Sequence, residues 1–150
     1  MQIMRNRAFY IAIIFFVLVA CTSGEEKIKD KFTKKIDKEL KLLQEKEMER
    51  RDNPECKKSE FTWDKSYHTT YWVFTGYEYD ISKTDSIVSP YTAKVQYKGI
   101  SYGKEGNTLG DCLKSNWIAY ANGQETKLFL QQKYAYQDGE WILKQQEGRP

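Results

Sequence analysis

The apolar period of this chain changes once, from four to two, near residue 60. Between residues 25 and 51, Ile28, Phe32, Ile36, Leu40 and Leu43 recur at helical spacing, which marks one stripe of an α-helix. From residue 71 the pattern alternates. Tyr71, Val73, Thr75, Tyr77, Tyr79 and Ile81 fall between Trp72, Phe74, Gly76, Glu78 and Asp80, and successive strand side chains point to opposite faces. A helix period does not suit a strand, nor a strand period a helix. The chain is therefore expected to build a helix first and a sheet second, an α+β arrangement.

The helical stretch is dense in charge. Opposite signs stand four apart, acid first, at Glu25/Lys29, Asp30/Lys34, Asp37/Lys41 and Glu47/Arg51, the orientation that supports a helix. Thr22 or Ser23 offers a cap. Asn53-Pro54 ends the helix, because the residue before proline avoids the helical region. The thin stripe favours docking on the sheet domain. A spacer that lifts the domain off a membrane and a partner-binding coiled coil are the alternatives.

Beyond residue 60 the first alternating strand begins apolar on both faces and ends acidic on one, so its far end is expected to face water. Residues 82–90 read as a polar loop. Tyr91, Ala93, Val95 and Tyr97 then alternate with Thr92, Lys94, Gln96 and Lys98, a half-buried strand pattern. Asp138-Gly139 between two alternating runs is a type I′ turn signal, since both central residues need positive φ. That turn pairs Gln137 with Glu140, Tyr136 with Trp141, Ala135 with Ile142 and Tyr134 with Leu143. One face carries Leu128, Leu130, Tyr134, Tyr136, Trp141 and Leu143 and is expected to be core. The other carries Lys133, Ala135, Ile142 and Lys144. Gly103, Gly106, Asn107 and Gly110 make a loose loop. Residues 114–121 read as a further strand ending in an Asn122-Gly123 turn, with a short helix as the alternative. The expected fold is an N-terminal amphipathic helix packed on a curved antiparallel sheet of four or five strands. In shape alone it resembles the cone-shaped folds of the nuclear-transport-factor-2-like type.

The first twenty residues have their own logic. Arg5 and Arg7 precede an apolar run over residues 8–20, and the run stops at Leu18-Val19-Ala20-Cys21. A positive start, a short apolar run and a small-residue cut site make a secretory signal, and the run is too short to span a bilayer, which takes about 20 apolar residues. An ordinary signal peptidase would want a small residue where Leu18 stands. Leu18, Val19, Ala20 and Cys21 instead resemble the lipobox of bacterial lipoproteins. The resemblance implies cleavage after Ala20, a diacylglyceryl group on the Cys21 thiol and an acylated new amino terminus, palmitate being a typical acyl chain. It implies a place in the cell envelope, at the outer membrane if the host is Gram-negative, since Thr22 rather than Asp follows the cysteine. The chain then divides into a signal peptide (1–20), a charged helical arm behind lipidated Cys21 (21–58) and a β-rich domain (59–150).

Without its signal the chain changes character. The formal charge of +3 less Arg5 and Arg7 is +1, which argues against nucleic acid as a partner, because such domains are strongly basic. The cysteines reduce to Cys56 and Cys112. An exported chain meets an oxidising compartment, so these two are candidates for a disulfide tying the arm to the domain, the alternative being two separate thiols. One histidine and no Cys-x-x-Cys argue against a metal centre, and no cofactor motif is present.

Candidate chemistry is sparse. His68 is the lone histidine, just before a strand, and reads as a surface or strand-edge residue; no Gly-x-Ser-x-Gly or His-Glu-x-x-His accompanies it. Residues 103–107 lack the phosphate-loop spacing. Glu78 and Asp80 share a strand face and would serve acid–base chemistry only if burial raised one of them. Lys83 and Asp85 lie in a hydroxyl-rich loop suited to turn bonding. Trp63, Tyr67, Tyr71, Trp72, Phe74, Tyr77 and Tyr79 are a dense aromatic set, chiefly core, with some of the large amphipathic rings common at contact sites. Trp72, Tyr77, Glu78, Tyr79, Asp80, Lys83 and Asp85 are therefore the candidate contacts for an envelope protein or a glycan. The expected function is a non-enzymatic binding or structural lipoprotein. The alternative is a small lipid-anchored enzyme with a carboxylate-lined cavity in the mouth of the sheet.

Overall fold

The computed structural model describes residues 2–60 and 65–148, with side chains from residue 24 onward. The lipobox with Cys21, and Trp63, lie outside the described residues and side chains. The chain divides into two compact units, Met1–Ile36 and Asp37–Pro150. One helix, α1 (Gln2–Asp52), runs through the first unit and opens the second. Among the described residues no helix is long and apolar enough to cross a membrane.

In the first unit Phe32 and Ile36 of the expected stripe are buried. The expected Asp30–Lys34 pair forms at 2.8 Å on the surface, where such a pair contributes a few tenths of a kcal/mol, ~0.3–0.5.

The second unit is a helix packed on a six-stranded antiparallel sheet. Its elements are β1 (Lys57–Lys58), β2 (Tyr67–Lys83), β3 (Tyr91–Gly106), α2 (Leu109–Lys114), β4 (Ile118–Ala119), a 3-10 turn (Tyr120–Gly123), β5 (Thr126–Gln137) and β6 (Glu140–Gly148). The strand order is β1-β2-β3-β5-β6, and β4 pairs with β3 past the end of β5. The sequence suggested four or five strands. The sixth is β1, two residues long and too short for an alternating pattern to announce it; β4, also two residues, is what remains of the strand read over 114–121.

Two elements correct the sequence reading. Residues 114–121 are not one strand: α2 ends at Lys114 and only Ile118–Ala119 pair with β3. The helix is capped by Thr108, whose hydroxyl accepts the Asp111 N–H at 3.1 Å and donates to Asp111 Oδ2 at 2.7 Å, an N-cap bond held in place by the Asp111 carboxylate. The Asn122-Gly123 turn is real: Ala121, Asn122 and Gly123 have φ of 49°, 54° and 73°.

The second correction concerns β2. Its odd positions do not share one face, because the register with β3 slips between Phe74 and Gly76. Trp72 and Phe74 lie opposite Ser101 and Gly99; Tyr77, Tyr79 and Ile81 lie opposite Tyr97, Val95 and Ala93. Directly opposed residues share a face, so the inner face is even-numbered before the bulge and odd-numbered after it. One inserted residue exchanges the two faces, and that is why both halves of β2 can turn aromatic rings inward.

The core lies on this inner face. Ala93, Val95 and Tyr97 of β3, Leu128, Leu130 and Tyr134 of β5, Trp72 and Trp141 are buried. Each fully buried Leu or Val is worth roughly 1.5–3 kcal/mol. The last hairpin forms in the expected register, Gln137↔Glu140 to Tyr134↔Leu143, around Asp138 and Gly139 at φ 51° and 84°. Its face assignment holds only in part. Leu143 is 42% exposed, since β6 is an edge strand. Ala135, read as outward, is buried, flanked in register by Thr92 and Ile142 on the neighbouring strands.

The helix meets the sheet through polar side chains. Glu47 accepts the Trp72 backbone N–H at 2.8 Å, and Gln44 accepts that of Phe74 at 2.9 Å. The Tyr77 hydroxyl donates to Asp37 at 2.8 Å, and the Tyr134 hydroxyl bonds Glu39. Glu47 pairs with Arg50 rather than with Arg51, which turns to Asp52 at 2.8 Å. The expected Glu47/Arg51 and Asp37/Lys41 surface pairs thus give way to bonds with the sheet and its neighbours. The reason is edge protection: beyond the short β1, β2 would present bare N–H groups to any strand, and Glu47 and Gln44 occupy two of them.

A disulfide joins Cys56, just before β1, to Cys112 in α2, with Cα atoms 6.3 Å apart and a sequence separation of 56. In the chain-entropy picture a loop of this length contributes roughly 4 kcal/mol. Nearby, the Lys104 amine donates to the Leu113 carbonyl at 2.9 Å and sits 5.1 Å from the Trp117 ring centre. Tyr71 stacks on Tyr102 at 5.0 Å and meets the Trp117 edge at 4.7 Å. α2 and β4 thereby cover the outer face at this end of β2 and β3.

Candidate functional site

The bulge in β2 disperses the candidate contact residues. Trp72 is buried, its ring edge-on to Phe74 at 6.2 Å. Tyr77 and Tyr79 lie on the inner face with centres 6.1 Å apart, Tyr77 bonded to Asp37 and Tyr79 partly exposed. Glu78 and Asp80 occupy the outer face, opposite Gln96 and Lys94. Lys83 ends β2 and lies 5.9 Å from the Tyr91 ring centre. Asp85 stands exposed in the following loop. The structure keeps these seven in one strand and loop but not on one surface.

Glu78 is held by two lysines. Lys98 bonds one carboxylate oxygen, and Lys127 approaches the other at 3.2 Å. The hydrogen bond from Lys98 first, then that from Lys127, keeps the carboxyl below the usual range. A proton donor at neutral pH needs the reverse shift. Asp80 is exposed and accepts the Ser82 hydroxyl at 3.1 Å. Glu78 and Asp80 thus have separate partners, two lysines for the one and a serine hydroxyl for the other.

A buried polar cluster that sequence patterns did not reveal lies on the inner face. Gln132 Oε1 is 2.7 Å from the hydroxyls of both Tyr97 and Tyr134, and its amide donates to Gln146 at 2.9 Å. Burial first pushes both phenols well above their ordinary range; Glu39 adds to this, as a nearby charge on Tyr97 and as a hydrogen-bond partner of Tyr134. Burial and then Asp37 do the same to Tyr77. Among the described residues no buried side-chain polar atom lacks a hydrogen-bond partner. The cluster is closed on itself and reads as a specifying element of the core. The sequence signal was the even parity of Gln132 within the apolar series Leu128, Leu130 and Tyr134.

Polar groups do converge elsewhere. A cleft of about 710 Å³ is lined by Lys46, Glu49 and Arg50 of α1, by Asn53 just past its end, by Glu55 and Lys57 around Cys56, and by His68, Thr69 and Thr70 at the start of β2. The three helical members fall at spacings of three and one, so they stand on one side of α1. His68 lies opposite Lys57 in the β1–β2 pairing and is exposed. Among the described residues no group of His, Cys, Asp or Glu is arranged to hold a metal ion. No protein family, curated protein or solved structure matches the chain.

Proposed function

We propose that this is a lipid-anchored cell-envelope protein, lipidated on Cys21 and then cleaved behind Ala20, whose sheet unit is a non-enzymatic binding module. The Cys56–Cys112 disulfide carries the reading. Such bonds persist in oxidising compartments and are rare in reducing ones, and export is what the Leu18-Val19-Ala20-Cys21 sequence implies. The charged arm of residues 21–58 links lipid to domain. Two acyl chains or more hold a protein firmly where one binds marginally, since each buried CH₂ contributes about 0.8 kcal/mol. At the envelope the module would meet a protein or glycan partner, at the outer membrane if the host is Gram-negative. Binding is favoured over catalysis because Glu78 is neutralised by Lys98 and Lys127.

Cys21→Ser tests the anchor. The variant is expected to accumulate as unprocessed precursor, to leave the detergent phase and to take up no labelled palmitate. Palmitate entering the variant as strongly as the unaltered protein would overturn the reading.

A further inference from the structure

We infer that the cleft between the end of α1 and the β1–β2 edge binds a short peptide that carries both a free ammonium and a free carboxylate. The inference deepens the proposed binding role and rests on it. The cleft volume of about 710 Å³ lies inside the span of small-molecule sites, about 300–1,000 Å³. Its lining is unlike an apolar pocket. Arg50 is already engaged by Glu47. Lys46, Glu49, Glu55 and Lys57 form no side-chain hydrogen bond or ion pair among the described residues. Two free cations and two free anions thus face one space without neutralising each other.

That balance selects the ligand. An anion would meet two carboxylates, a cation two ammonium groups, and an apolar molecule would strip water from all four. A ligand with separated charges of both signs satisfies both pairs through charge-assisted hydrogen bonds. Asn53, His68 and Thr69 add further hydrogen-bonding groups to the same walls. The four charged side chains are exposed, but the backbone that carries them is held beforehand. Cys56, between Glu55 and Lys57, is bonded to Cys112; Lys57 pairs with His68; and Glu47 and Gln44 tie α1 to β2. Preorganisation of this kind lowers the cost of binding.

His68 is the only histidine, so its imidazole resonances report on this cleft alone. The test titrates the full chain with an equimolar pool of tripeptides bearing free termini, then with the same pool acetylated, amidated or both. The free-termini pool should give a saturable His68 shift. Every blocked pool should bind at least tenfold more weakly, and Lys57→Glu and Glu49→Lys should each weaken the free pool at least tenfold with an unchanged far-UV spectrum. Equal binding of the doubly blocked pool, or no saturable shift, would overturn the inference. Detergent partitioning of the same samples separates the two claims. Partitioning without peptide binding removes the cleft ligand alone, and loss of partitioning removes the anchored reading.

Discussion

The Glu47 carboxylate accepts the Trp72 backbone N–H at 2.8 Å while it pairs with Arg50, so a helix side chain stands where another strand would pair with β2. Glu47 itself is 2% exposed. Replacing it with alanine leaves the N–H of a buried residue without its acceptor, which costs about 1–3 kcal/mol. Glu47→Ala should lower the free energy of unfolding by that amount, read as a lower urea midpoint, and make the protein self-associate through the uncovered edge. Glu47→Gln keeps an acceptor for Trp72 and should lose less. Equal stability of both variants and the unaltered chain, by equilibrium urea unfolding, would contradict the edge role.

Removal of the disulfide should act chiefly through the unfolded chain. Cys56→Ser with Cys112→Ser is expected to cost roughly 2–4 kcal/mol. Cys112 is buried, so the paired variant also places a hydroxyl in that site. Chemical reduction of the unaltered protein gives the same comparison without it. Thermal unfolding with and without reductant measures the effect; an unchanged midpoint would show that packing of α2 suffices.

Alkaline pH should unfold the protein through its buried phenols. Tyr97, Tyr134 and Tyr77 are raised above the ordinary phenol value, by burial first in each case. Their folded values exceed the unfolded value of about 10. The stability they contribute is therefore complete below about pH 10 and lost as pH rises through the folded values. Of the eleven tyrosines, these three and Tyr71, also raised by burial first, should ionise late, in step with loss of far-UV ellipticity. Ionisation of all eleven in one step with the fold intact would refute it.

Asp138→Pro should break the last hairpin. Asp138 has φ of 51°, whereas proline holds φ near −65°. The strands either side can no longer keep the Tyr136–Trp141 and Tyr134–Leu143 pairs. A lower melting point and an altered near-UV spectrum are expected, and an unchanged spectrum would show the turn to be dispensable.

How far the fold was legible follows from how local each signal is. Asp138-Gly139 sets its register through two backbone angles, so that hairpin could be read directly. The helix-to-strand change near residue 60 was legible for the same reason. The β2 bulge was not, because alternation continues on both sides of Thr75 and only pairing with β3 reveals the slip. α2 left a trace in Thr108-x-x-Asp111 that a glycine-rich context obscured. Of the candidate contacts, Glu78 depended on Lys98 and Lys127 from two other strands. The cleft combines residues from α1, β1 and β2, and no single segment contains its pattern.

The disulfide also sets an order of events for a chain made from its amino end. Between Cys56 and Cys112 lie the whole of β2 and β3, so closure awaits the synthesis of both strands. It need not await β5, which starts at Thr126. For an interval the covalent ring can exist while the central strand β3 still lacks its second neighbour. The ring would then present one ready edge, and the arriving β5 would add to a template already locked in register rather than to a loose chain.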